Sequence, residues 1–184
     1  MKAGIVEAIA ACLAAAIMAV PVTASAAMDE IDCGTSSFEF AAEGFQVDCE
    51  RSTDQVRAEG ATGATEVDVM TVTGDDRHVF ITVVAISLKA PRLIMERRSL
   101  GQNFREAFDD IKAEDWNGVG TKGGYDTAEF NAVISGVPSS CIAIQRYLNP
   151  MYSGFKRRLI GLGCSLSGHA EVYDALAKLR APGD

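Results

Sequence analysis

Histidine is scarce in this chain: His78 and His169 are the only two. A Ser-His-Asp or Cys-His enzyme needs one of them beside a nucleophile. The chain has no G-x-S-x-G elbow, and no two cysteines stand at C-x-x-C spacing. That spacing is what a thiol-redox pair or a zinc site would show. Basic residues are outnumbered too, 17 Lys and Arg against 25 Asp and Glu, for a net charge of −8. A general nucleic-acid binder would carry a basic face and a high pI instead.

Two motifs look chemical and read better as turns. Gly118-Val119-Gly120-Thr121-Lys122-Gly123 is literally G-x-G-x-x-G. A dinucleotide site needs a strand before it and a helix after it, so that the pyrophosphate meets the helix N-terminus. Here a helical pattern precedes and a strand pattern follows, so no cofactor is expected. Asp75, Asp76 and His78 have spacing that would allow a metal. Asp-rich turns arise for backbone reasons, however, and no metal site is expected.

The N-terminus has the pattern of a leader. Met1-Lys2 is a minimal basic start, Ala8 to Val22 is apolar, and Ala24-Ser25-Ala26 matches the signal-peptidase pattern. Residues 1–26 are expected to be a cleaved secretory signal peptide, and residues 27–184 a single disulfide-bonded domain. The alternatives, a retained transmembrane helix or a lipoprotein anchored at Cys12, fit less well. The run is short for a span and no basic stop-transfer cluster follows. The expected location is the periplasm.

Cleavage removes Cys12 and leaves Cys33, Cys49, Cys141 and Cys164. An even count in an oxidising compartment reads as two disulfides. The sequence-local pairing, Cys33–Cys49 and Cys141–Cys164, closes two hairpins. In the second, Ile142 faces Gly163, Ile144 faces Gly161, Tyr147 faces Arg158, and Leu148 to Arg157 is left as a loop. Closing a loop of that length contributes about 3 kcal/mol in the chain-entropy model.

Phe38, Phe40, Phe45 and Val47 suggest a strand pair around a turn at Ala41–Gly44. Arg51 to Thr65 is polar and reads as a loop with a weak strand at Gln55–Ala58. Val67 to Val72 and His78 to Leu88 are strands, the second apolar on both faces and therefore central. Leu100, Phe104, Phe108 and Ile111 form a helical stripe that runs on to Asp115–Gly118. Tyr125–Val133 is a strand, the 141–164 hairpin follows, and Gly168–Arg180 is a last helix. The expected fold is α+β: an antiparallel sheet of about six strands with two covering helices. At the level of the fold alone this order resembles the α/β sandwich of the PsbP family, and a fold does not carry a function.

The hairpin loop offers the best surface. Tyr152 and Phe155 sit beside Lys156, Arg157 and Arg158, with Arg146 near the same end, in an otherwise acidic chain. A loop tip of this composition suits contact with a protein partner or an anionic membrane face. The expected function is a non-catalytic periplasmic accessory or binding protein that engages an envelope partner through residues 148–158. The alternatives are an envelope hydrolase built around His78 or His169 and a peripheral binder of anionic membrane.

Overall fold

The computed structural model describes residues 28–58, 61–74, 78–90 and 93–181. The expected signal peptide and the Asp75-Asp76 pair lie outside them. The described chain is mostly strand, 57%, with about 13% helix.

Strand β1 is Asp29–Glu30, β2 Glu39–Phe40, β3 Phe45–Ala58, β4 Ala61–Gly74 and β5 Val79–Leu88. Helix α1, Leu100–Ala107, follows; then come β6 Gly120–Lys122, β7 Tyr125–Ile134, β8 Val137–Met151 and β9 Gly154–Ser165. Helix α2, His169–Leu176, and β10, Leu179–Arg180, end the chain. Eight strands form one antiparallel sheet in the order β1-β3-β4-β5-β9-β8-β7-β6, while β2 and β10 pair separately. Two meanders therefore meet at the centre, where β5 pairs with β9. The connection through α1 carries the chain from the centre to the far edge, and β6 to β9 return it.

Strict alternation in these long strands gives the sheet two buried faces. One face carries Met70, Val72, Ile81, Val83, Ile142 and Ile144. Val172 and Leu176 of α2 lie on it, above Gly163, where a Cβ would come within 2.6 Å of Val172 Cγ1. The other face carries Val69, Val84, Ile160 and Leu162 with Leu100, Phe104 and Phe108. Trp116 belongs to its edge, stacked on Phe130 with ring centroids 5.3 Å apart.

The expectation of a six-stranded sheet with two covering helices, and with it the α/β sandwich, is overturned. The sheet has eight strands, and the two helices have only eight residues each. Helix α1 stops at Ala107 because Asp109 and Asp110 come next, and carboxylates oppose the negative end of a helix dipole. Its start is fixed by a reciprocal cap between Ser99 and Gln102. Leu179 and Arg180 leave the expected last helix to pair with Phe40 and Glu39. The expected 38–47 hairpin is absent for the same reason: β2 pairs with β10, and β3 pairs with β1 and β4. The polar stretch 51–65 is mostly ladder, since backbone hydrogen bonds do not need apolar side chains. The G-x-G-x-x-G stretch contains edge strand β6 and the first glycine of its turn; no helix follows.

Both disulfides form as paired in the sequence reading. Cys141 faces Cys164 with Cα atoms 4.1 Å apart, and Ile142–Gly163, Ile144–Gly161 and Tyr147–Arg158 pair in the expected register. Cys33–Cys49 does not close a hairpin. It ties a 3-10 turn over Cys33–Thr35 to β3, next to the backbone bond from Ile31 N–H to the Cys49 carbonyl. These disulfides place the protein in an oxidising, extracytoplasmic setting. Among the described residues no helix is long and apolar enough to cross a membrane.

Candidate functional site

The expected 148–157 loop is ladder almost to its tip. Leu148 pairs with Arg157, Pro150 with Phe155 and Met151 with Gly154, leaving Tyr152-Ser153 as the turn. Tyr152 is fully exposed, at 112%, and Met151 is 49% exposed. Phe155 instead packs on Tyr147 with ring centroids 4.9 Å apart. Its backbone exchanges hydrogen bonds of 2.8 and 2.9 Å with Met95, so residues 94–96 brace the tip from the side. Gly154 is required there, because a Cβ would lie 2.5 Å from the Met95 carbonyl oxygen.

Alternation separates the cations. Lys156 donates from Nζ to the Ala90 and Leu93 carbonyls. Arg157 is buried on the α2 face and donates to the Ser37 carbonyl at 2.7 Å. Burial pushes its guanidinium pKa down, while Asp68 and Glu66 oppose the shift. Arg158 points to the α1 face and donates to Asn103 Oδ1. Arg146 lies over the Tyr125 ring, 5.6 Å from its centroid. The six residues singled out at this hairpin end therefore do not form one patch; Tyr152 alone stands clear of the protein at the tip.

Two polar clusters escaped the sequence reading. Asp68, 1% exposed, receives Arg51 Nε at 2.6 Å, Arg51 NH2 at 2.8 Å and the Ser37 N–H at 2.7 Å. Burial alone would raise its pKa, but these donors outweigh it and hold the carboxyl below its ordinary value. The visible signal was its parity with the core residues Met70 and Val72. On the other face Asn103 and Gln145, 0% and 1% exposed, are joined side chain to side chain, and Asn103 also donates to Tyr147 Oη at 2.9 Å. Gln145 reaches the Arg98 carbonyl at 3.1 Å, so the cluster anchors the segment leading into α1.

His78 precedes β5 and is exposed. His169 Nε2 faces the Phe130 carbonyl at 3.2 Å, and its Nδ1 lies 3.9 Å from Glu129. Ser165 donates its hydroxyl to Glu171. Among the described residues no group of three or more His, Cys, Asp and Glu side chains could hold a metal ion.

A cleft of about 340 Å³ opens between α2, β10 and the β6–β7 turn. Lys122, Arg146 and Arg180 line it together with Tyr125 and Tyr173. Its floor includes Ile144, Leu176 and Leu179, all buried. Lys122 Nζ sits 3.4 Å from the Tyr173 ring centroid. Burial raises the Tyr173 hydroxyl pKa; a hydrogen bond with Thr127 acts in the opposite direction, and Glu129 adds to the rise. No local pattern announces this cleft, because its walls come from five separate elements. Comparison with protein-family models, with curated proteins and with solved structures finds no match for the chain.

Proposed function

We propose that this is a non-catalytic accessory protein of the periplasm that docks a protein partner on the tip of the β8–β9 hairpin. The observation that carries this reading is Tyr152, fully exposed at the apex of a braced, disulfide-backed hairpin. Met151 and Ile94, 49% and 36% exposed, extend the apolar surface beside it. A Cβ added at Gly154 would lie 3.3 Å from Ile94 Cβ, so the two strips adjoin. A tyrosine held on a rigid support loses little conformational freedom on binding, which is why such residues dominate interface energetics. The leader pattern of residues 1–26 and the two disulfides support the periplasmic location. Lys156, Arg157 and Arg158 make contacts within the protein, which favours a protein partner over an anionic membrane.

The test is a photo-crosslinking amino acid placed at position 152 in living cells, with position 178 as an exposed control. A discrete adduct is expected at 152, absent at 178 and lost when Met151→Asp is added. The same adducts at both positions, or none at 152, would refute the reading.

A further inference from the structure

The geometry points to a second site: the cleft under α2 binds a small amphiphilic carboxylate, with the anion on Lys122, Arg146 and Arg180 and the apolar body against the buried floor. This site is distinct from the hairpin tip and does not depend on it.

Charge supports this first. The chain carries a net charge of −8, yet three cations and no carboxylate line the cleft among the described residues. Glu129 meets the Tyr173 hydroxyl but does not line the cleft. Three cations converging on one hollow set up a local field that attracts anions, and apolar walls strengthen it by excluding water. Arg180 offers a planar fork suited to a carboxylate, and Arg146 adds its charge beside it.

The lining divides by depth, which sets the shape of the ligand. Tyr125, Ile144, Leu176 and Leu179 are 8%, 2%, 9% and 4% exposed and form an apolar floor. Lys122 and Arg180 are exposed at the rim, with Arg146 intermediate. A bare inorganic anion would use the rim and leave the floor uncovered, whereas an aromatic or short aliphatic carboxylate fills both. The volume, about 340 Å³, falls at the small end of ligand pockets.

The rim is also held in place. Gly123 and Gly124 have φ of 59° and 79°, the positive values that a two-residue hairpin turn requires, and they fix Lys122 at the mouth. The Tyr173 and Tyr125 rings carry the Lys122 and Arg146 cations on their faces. Cations already positioned lose less entropy when an anion arrives.

The experiment titrates the disulfide-bonded protein with 2-naphthoate, following naphthyl fluorescence and the backbone amide shifts of Gly123, Gly124 and Ala177. Saturable binding is expected, with shifts confined to the cleft. The uncharged isostere 2-naphthamide should bind at least tenfold more weakly, and so should inorganic phosphate. Arg146→Gln with Arg180→Gln should weaken 2-naphthoate at least tenfold. Lys122→Gln, at an exposed position, tests the rim with little risk to the fold and should weaken it several-fold. No saturable binding by the wild type, equal affinity for 2-naphthamide, equal affinity for phosphate, or shifts centred elsewhere would each overturn the proposal.

Discussion

Arg51 grips Asp68 with two hydrogen bonds, Nε to Oδ1 at 2.6 Å and NH2 to Oδ2 at 2.8 Å, directly across the β3–β4 ladder. The carboxylate is 1% exposed, while the arginine side chain keeps 28% of its surface in water. The Ser37 amide completes the carboxylate's partners, and Arg157 donates to the Ser37 carbonyl. One buried charge thus fixes the segment before β2 to the sheet.

This arrangement predicts an acid-sensitive contribution to stability. Asp68 has a folded pKa below its unfolded one. Its contribution is therefore complete above the unfolded value, about 3.9, and is lost as pH falls through the folded value. Asp68→Asn should flatten the fall in stability between about pH 5 and pH 2. Asp68→Ala should cost about 3 kcal/mol at neutral pH, because Arg51 and the Ser37 amide lose their acceptor and buried Arg157 loses a nearby carboxylate. Urea melts across that pH range check both; identical pH slopes for wild type and Asp68→Asn would exclude the linkage.

Gly163 tests the seat of α2. A Cβ there would lie 2.6 Å from Val172 Cγ1, inside the distance that side-chain carbons tolerate. Gly163→Ala should destabilise the protein by about 1–3 kcal/mol through overpacking. Val172→Ala in the same chain should recover part of that loss, although alone it opens a cavity and destabilises. The readout is the coupling in a double-mutant cycle, and a sum of independent costs would show that the contact is not shared.

What the sequence made legible follows from how local each signal is. The Cys141–Cys164 register could be read because facing residues in a hairpin sum to a constant, and Ile144–Gly161 and Tyr147–Arg158 obey it. The α2 stripe of Val172 and Leu176 was visible because helical spacing is short-range. The pairing of Phe40 with Leu179 joins opposite ends of the chain, and neither two-residue strand has a pattern of its own. Edge strand β6 was hidden among glycines that serve its turn. The hairpin is legible in the sequence but the placing of its cations is not: in a loop Arg157 and Arg158 would share a surface, whereas in a strand they face opposite ways. The cleft was not legible, since Lys122, Arg146 and Arg180 meet only after the sheet has closed.

Asn103 tests the buried polar cluster beneath α1. It donates to Gln145 and Tyr147 and accepts from Arg158, whose Nε has no hydrogen-bond partner among the described residues. Asn103→Leu keeps the bulk and removes all three bonds, leaving a charged group under-satisfied. The expected loss is about 2–3 kcal/mol by denaturant unfolding. Adding Arg158→Met should restore most of it, because an apolar pair of similar shape has no buried charge to satisfy. If the double variant is less stable than Asn103→Leu alone, Arg158 is held by contacts other than Asn103.

The two disulfides should differ in what they protect. Cys141 and Cys164 join two central strands one pair from the open end of the β8–β9 ladder, in a row with Phe80 and Phe130 on neighbouring strands. The ladder from there to the tip is long, so Cys141→Ala with Cys164→Ala should lower stability by about 3 kcal/mol while leaving the hairpin register unchanged. Cys33–Cys49 spans a sequence separation of 16 rather than 23, and the chain-entropy model gives it a nearly equal value. Its native surroundings are weaker, because β1 has only two residues at the sheet edge. Removing that bond should therefore add local opening to the global loss, and the Ile31 amide bonded to the Cys49 carbonyl should lose hydrogen-exchange protection first. Exchange measured on both double-alanine variants decides the matter. Equal protection of Ile31 in the two would mean that β1 is held by its ladder and not by the sulfur bridge.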